Sequence, residues 1–261
     1  MTRALLPLAL LVLFAFGGPL VYHADPTAID LTLTVAGMSG AHPLGTDESG
    51  RDVLARLMSG GRVSLVVGLL AGVVAVAVGT AVGGLATARN PWLSVATSRL
   101  LDAAMAVPSF FILLVIVTLF GGSTTTLIAA IGLTAWMGIA RLVRAESLSL
   151  QERDFVLAAQ ALGQPPPARF ARHVLPHLVP TLIAAAGVGI AQAVLTESAL
   201  SFLGLGIEPP MASWGNMLTG AQQNLGEAPW LALYPGLLIV LTVLAANTVG
   251  EQIQRRGGLH K

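Results

Sequence analysis

Five stretches of this chain run for more than twenty residues without an Asp, Glu, Lys or Arg, and that spacing of charge decides what it can fold into. Between Arg3 and Asp25 lie 21 such residues, and between Arg62 and Arg89 lie 26. The remaining runs are 38 residues between Asp102 and Arg141, 24 between Arg172 and Glu197, and 23 between Glu227 and Glu251. A helix rises about 1.5 Å per residue and the hydrocarbon layer of a bilayer is roughly 30 Å thick, so about 20 mainly apolar residues suffice to cross it. The run after Asp102 is too long for one crossing, and the polar stretch Gly121-Gly122-Ser123-Thr124-Thr125-Thr126 divides it in two. Six helices are predicted, near residues 4–22, 63–87, 103–120, 126–141, 178–199 and 231–249. Lipid offers the backbone no hydrogen-bond partners, so each crossing must satisfy its own backbone as a helix, and the runs are too long and continuous for barrel strands.

Composition agrees. Charged residues make up 10% of the chain, against about 25% in a soluble globular protein, and 54% of residues are hydrophobic. A soluble enzyme domain, a disordered chain and a disulfide-stapled module are all excluded on this count. The absence of Cys removes thiolate metal sites and redox pairs. A net charge of +1 gives no strong attraction to nucleic acid. The fold class is an all-α integral membrane protein of about six transmembrane helices. Its parts are a first helix at 1–22, an extracytoplasmic segment at 23–62, a membrane domain at 63–250 and a cytoplasmic tail at 251–261. Arg3 followed by an apolar stretch also has the look of a signal peptide, but no convincing small-residue cleavage pattern follows, and it is read as a retained helix.

Basic residues orient the bundle. With the N-terminus inside, 11 fall on one face: Arg3, Arg89, Arg99, Arg141, Arg144, Arg153, Arg169, Arg172, Arg255, Arg256 and Lys261. Only Arg51, Arg56 and Arg62 fall on the other, so the positive-inside rule predicts that both termini are cytoplasmic. Trp92, Trp214 and Trp230 lie near predicted span ends, where amphipathic rings prefer the interface, and Trp136 near the end of the fourth span.

Three loops carry patterns. In the extracytoplasmic segment, His42-Pro43-Leu44-Gly45-Thr46-Asp47-Glu48-Ser49-Gly50-Arg51-Asp52-Val53 has capping-box spacing between Ser49 and Asp52. Val53, Leu54, Leu57 and Met58 then share a helical face, and Gly60-Gly61 can end a turn. This predicts either a short amphipathic helix on the outer membrane surface or a simple capped connector. The long inside loop, 141–177, predicts a helix from Gln151 to Leu162 with Phe155, Ala158, Ala159 and Leu162 on one face. Gly163 suits the left-handed position that closes it, Pro165-Pro166-Pro167 enforces a break, and a second helix runs from Pro167 to about Leu175, interrupted at Pro176. Such a cytoplasmic hairpin, between the fourth and fifth spans, is either packed on itself or a docking knob; its small residues Ala158, Ala159 and Gly163 would let another backbone approach closely. The third loop, Ser201 to Trp230, is rich in Gly and Pro yet apolar, and is expected to pack on the membrane rim.

Some chemistry is missing. The one Lys is Lys261, so no phosphate-binding loop with its lysine can form. His173 and His177 stand four apart, a spacing two metal ligands could use, but Pro176 lies between them and no third ligand is evident, so no metal site is expected. Glu197, near the outer end of the fifth predicted span, could line a polar path, bind an amine or anchor the outer loop; its position near the interface favours the anchor. Asp102 reads as interfacial. Gly68, Gly72, Gly79 and Gly83 form two Gly-x-x-x-Gly pairs that would admit close helix contact, and Pro108 predicts a kink in the third span.

Leu157-Ala158-Ala159-Gln160-Ala161-Leu162-Gly163 with His173-Val174-Leu175-Pro176 resembles the EAA loop of ABC importer permeases, with Leu157 in place of the Glu and His173 in place of the Ile. The segment His42 to Val53, the run Glu197-Ser198-Ala199-Leu200-Ser201-Phe202-Leu203-Gly204-Leu205-Gly206, and Pro209-Pro210 with Ser213-Trp214-Gly215 are similar to the dipeptide/oligopeptide/nickel branch of that family. The triple proline departs from such a loop. The resemblance implies a non-enzymatic transport subunit in the cell membrane of a bacterium or archaeon. It would pair with a second homologous permease, two ATPase subunits that bind the ATP and Mg, and an extracytoplasmic solute-binding protein; no cofactor belongs to the chain itself. Ala158, Ala159, Gly163, Leu175 and Pro176 would then couple to the ATPase. The cargo would be di- or oligopeptides, or else nickel or another small solute. A proton-coupled secondary transporter using Glu197 is the rival of another class, but no inverted repeat of broken helices supports it.

Overall fold

The computed structural model describes residues 2–258, and among these every regular element is a helix, with no strand. Lys261 of the basic count lies outside the described residues. Helix α1 (Thr2–Val12) continues through a π turn and a 3-10 turn to Leu20. There follow α2 (Val53–Leu85), α3 (Pro91–Ala106), α4 (Ser109–Phe120) and α5 (Thr124–Gln151). The short helices α6 (Asp154–Ala161) and α7 (Pro166–Arg169) precede α8 (Leu175–Phe202), α9 (Trp214–Ala221) and α10 (Trp230–Gly258).

Four stretches are long and apolar enough to cross a bilayer: α2, α5, Pro166–Phe202 and α10. The pair α3 and α4 makes a fifth if its two arms count as one, and the N-terminal apolar helix, Leu5–Leu20, is shorter. Large side chains such as Leu70, Val73, Phe111, Leu119, Leu237 and Leu244 face outward, which suits lipid and inverts the soluble pattern.

The predicted third span is two arms bent by 81°. Pro108 lacks an N–H and forces Val107 into an extended conformation (φ −96°, ψ 125°), so the helix stops and restarts. Helix α3 begins earlier than predicted, at Pro91, with Asn90 accepting from the Trp92 amide at 3.0 Å. Asp102 is exposed late in α3. Helix α5 runs ten residues past Arg141, leaving Trp136 mid-helix. Charge marks where lipid ends, and a helix is free to continue into water.

The extracytoplasmic prediction needs two corrections. Asp52, not Ser49, caps the helix, accepting from the Ala55 amide at 2.8 Å. No separate surface helix ends at Gly60-Gly61, because α2 runs unbroken through both. A Cβ there would lie 3.1 Å from the Ser213 backbone and 2.8 Å from the Trp214 ring. Glycine inside a helix costs about 1 kcal/mol against Ala, and the close seating of Trp214 offsets it. Trp214 is fully buried rather than interfacial, with Nε1 donating to the Leu57 carbonyl at 2.9 Å.

Helices α2 and α5 lie parallel in the most extensive contact of the bundle: Gly132 meets Val74, Gly79 meets Ile139, and Gly83 meets Ala140 and Val143. The two glycine pairs serve different neighbours. Gly68 and Gly72 face Val194 and Ile190 of α8, whereas Gly79 and Gly83 face α5. A Cβ on Gly83 would sit 2.6 Å from the Ala140 carbonyl oxygen, which is backbone and cannot swing aside. Gly83→Ala is therefore expected to destabilise the bundle by about 1–3 kcal/mol, the usual cost of overpacking. Gly138→Ala, whose Cβ would meet nothing within 4 Å, is expected to have little effect. Thermal unfolding of the two variants in detergent checks the contrast.

Candidate functional site

At one end of the bundle the segment before α2 folds into a buried ionic knot. Asp47 accepts from the Arg51 amide (2.9 Å) and Arg51 Nε (2.8 Å), and pairs with Arg56 Nε at 3.1 Å. All three side chains are buried. Asp52 receives the Tyr22 hydroxyl at 2.6 Å and contacts His42 Nδ1 at 2.8 Å. Burial, then the adjacent Asp52 carboxylate, push the Tyr22 phenol up to about 12, so it remains a donor at any physiological pH. Two of the three basic residues assigned to this face, Arg51 and Arg56, are thus consumed by the knot, and Arg62 Nε donates to the Ala15 carbonyl at 2.9 Å.

Beside the knot, Glu197 is fully buried on α8. Its Oε2 accepts from Ser64 Oγ of α2 at 2.8 Å and its Oε1 from Ser201 Oγ at 2.8 Å; Ser198 Oγ lies 3.4 Å from Oε2. Each main serine also accepts a backbone N–H: Ser64 from Trp214 at 3.3 Å, Ser201 from Ile207 at 3.0 Å. One carboxylate therefore organises α2, α8 and the Gly- and Pro-rich loop. Ser213 caps α9 reciprocally with Asn216, whose amide also donates to the Ile207 and Met211 carbonyls at 3.0 and 2.9 Å.

At the opposite end stands the hairpin. Its first helix is shorter than predicted, Asp154–Ala161, because Gln151 still belongs to α5. The second, from Pro166, is not interrupted at Pro176. It passes through a π turn (Phe170–Val174) into α8, and that widened turn just before Pro176 is where the helix accommodates the hydrogen bond its nitrogen cannot make. Val156, Val174 and Leu178 are buried in one cluster with Leu150 of α5, and the rings of Phe155 and His177 stack at 4.8 Å. His177 Nδ1 contacts the His173 carbonyl at 2.8 Å, and among the described residues no group of three potential metal ligands occurs.

Of the hairpin residues singled out in the sequence, Ala158, Gly163 and Pro176 are exposed, Leu175 is half-buried and Ala159 is buried. The apolar face predicted for α6 is divided: Val156 and Ala159 form its inner side, Phe155 lies over His177 of α8, and Ala158 and Leu162 face away from the bundle. Leu162, at the tip, is 86% exposed.

A cavity of about 660 Å³ opens between the α3–α4 elbow, α5, α8 and α10, and Pro108, Thr134, Gly138, Gly189, Gln192 and Glu251 are among its walls. Gly138 and Gly189 have nothing within 4 Å of a notional Cβ, unlike the packed glycines of α2. Glu197 does not line this cavity. Sequence reasoning missed it, since its one signal was the Pro108 break.

Residues 55–256 match the family described as binding-protein-dependent transport system inner membrane component. The chain belongs to that family. Among relatives of this transport family, a protein named as a peptide permease in Brucella suis is 38% identical over 238 residues, covering 90% of this chain and 79% of that one. The oligopeptide transport system permease protein OppC of Escherichia coli K12 is 35% identical over 253 residues, covering 96% and 84%. The dipeptide transport system permease protein DppC of Alkalihalophilus pseudofirmus is 34% identical over 243 residues, covering 93% and 80%. The inward-facing MetNI methionine ABC transporter shares the fold at TM-score 0.63 and 19% identity, over 76% of this chain and 94% of that one. The chain is accordingly an integral membrane permease of the ABC importer type.

Proposed function

We propose that this chain forms half of the translocation path of an ATP-driven importer, passing di- or oligopeptides handed over by an extracytoplasmic binding protein. The observation that carries the reading is the hairpin. Its base is locked into the bundle by Val156, Val174 and Leu178, while Leu162 and Gly163 project from its tip. A rigid projection continuous with a spanning helix can convert movement of a docked partner into movement of the bundle. The docked partner is one of two ATPase subunits that hold ATP and Mg. The 660 Å³ cavity is not enclosed by this chain alone, and a second homologous permease would close it. Counting the α3–α4 pair and the N-terminal helix as spans gives six crossings with both termini on one side, and the excess of basic residues there assigns that side to the cytoplasm. Glu197 then acts as an anchor of the outer loop. The peptide cargo rests on what the relatives are named for.

Reconstitution tests this. Proteoliposomes holding the chain, its second permease and two ATPase subunits are expected to take up peptide only with ATP and a binding protein present. Uptake by the chain alone on a pH gradient overturns the reading, and uptake of nickel in place of peptide overturns the cargo.

A further inference from the structure

A second cavity, of about 1000 Å³, lies between the last turns of α2 and the base of the hairpin. It is distinct from the elbow cavity and from the ionic knot. Its walls include two arginines, Arg89 and Arg169, and no acidic residue. Arg169 is only 8% exposed, yet its Nη1 has no hydrogen-bond partner. Thr80 Oγ1, on α2 and lining the same cavity, is also buried and unpartnered. A buried guanidinium nitrogen with nothing to receive its protons is costly, and an anion or an ordered water is what usually relieves it.

We infer that this cavity binds the phosphate headgroup of an anionic phospholipid, with Arg169 as its principal ligand. The guanidinium fork suits phosphate oxygens, and the Thr80 hydroxyl can donate to the same group. The cavity is far larger than one inorganic anion. Leu85 and Leu93, 45% and 40% exposed, line it and give acyl chains an apolar path. Arg89 lies in the connection between α2 and α3, at the end of the charge-free run, the depth at which basic pockets between membrane helices meet headgroups. Pro166 and Phe170 supply the hairpin side, so the bound lipid would brace the hairpin against α2. The inference needs only that the chain spans a membrane, and it stands or falls separately from the cargo.

The test uses the delipidated transporter complex in mild detergent, followed by thermal unfolding. Phosphatidylglycerol is expected to raise the midpoint saturably, and phosphatidylcholine is not. Arg169→Gln is expected to weaken the apparent phosphatidylglycerol affinity about tenfold or more, as loss of a charge-assisted pair should. Without lipid its midpoint should equal or exceed that of the wild type, because an unpaired buried charge has gone; a purely packing role for Arg169 would lower it. Thr80→Val and Arg89→Gln should each weaken binding severalfold. Equal stabilisation by phosphatidylcholine, or unchanged affinity in Arg169→Gln, overturns the site. Equal stabilisation by glycerol phosphate or inorganic phosphate overturns the lipid source. Should Arg169→Gln not assemble, Thr80→Val decides: wild-type affinity there overturns the assignment.

Discussion

Gly163→Val is expected to abolish the solute-stimulated ATP hydrolysis of the assembled transporter while leaving the chain inserted in the membrane. Gly163 holds φ +77°, and the turn around it closes α6 with two crossed bonds: its own amide donates to the Gln160 carbonyl at 3.0 Å and the Gln164 amide to Ala159 at 3.1 Å. A left-handed conformation costs an ordinary L-residue ~1–2 kcal/mol, and a β-branched side chain tolerates it worst. That penalty shifts the population of the native turn by roughly five- to thirtyfold. No atom lies within 4 Å of the notional Cβ, so the bundle itself loses nothing. The damage falls on the angle of the tip and on whatever approaches it. Gly163→Asn separates these two. Asn accepts the left-handed region, so coupling kept in Asn and lost in Val locates the requirement in the turn. Loss in both locates it in close approach by the partner. ATPase assays with loaded binding protein measure the effect, and normal stimulation in Gly163→Val removes the hairpin from the coupling path.

What the sequence made legible follows the strength of each constraint. Lipid leaves a backbone no alternative partner, so the charge-free runs located α2, α5, α8 and α10, and Ser123 does cap the helix after the predicted break. Pro108 and Gly163 were legible because each acts through its own backbone. Gly60-Gly61 misled for the opposite reason. Local propensity says stop, but Trp214, about 150 residues away in the chain, seats against them. Ser49 and Asp52 had the spacing of a capping box, yet Tyr22 and His42 on Asp52, and Arg51 and Arg56 on Asp47, come together through folding of the whole segment. For α6 the periodicity found an apolar stripe but left open whether the bundle or a partner would cover it, because spacing alone does not say what lies opposite. The two cavities are gaps between elements, and no single stretch of sequence encodes them.

Glu197 offers the sharper division between an anchor and a proton carrier, because two substitutions separate them. Glu197→Ala deletes the acceptor for Ser64 and Ser201 at once, in a site with no exposure to water. Two hydroxyls lose their acceptor, and their hold on the Trp214 and Ile207 amides slackens with them. Loss of a buried network of this kind costs on the order of 3–5 kcal/mol, or roughly 6–20 °C in melting midpoint for a chain of this size. Assembly and transport should fail together. Glu197→Gln keeps the volume and one carbonyl acceptor, so Ser201 can still donate. The amide nitrogen must then donate to Ser64 Oγ, which already receives the Trp214 amide but has a second lone pair free for it. What is lost is chiefly the partner of one serine proton, a cost nearer 1–2 kcal/mol. Transport by Glu197→Gln should therefore persist at a substantial fraction of wild type wherever the complex is folded. A carrier residue behaves the other way: Gln cannot take up and release a proton, so transport would vanish with the midpoint nearly unchanged. Uptake and unfolding midpoint measured side by side on the two variants decide, and a stable but inactive Glu197→Gln would move this residue from the frame of the machine into its path.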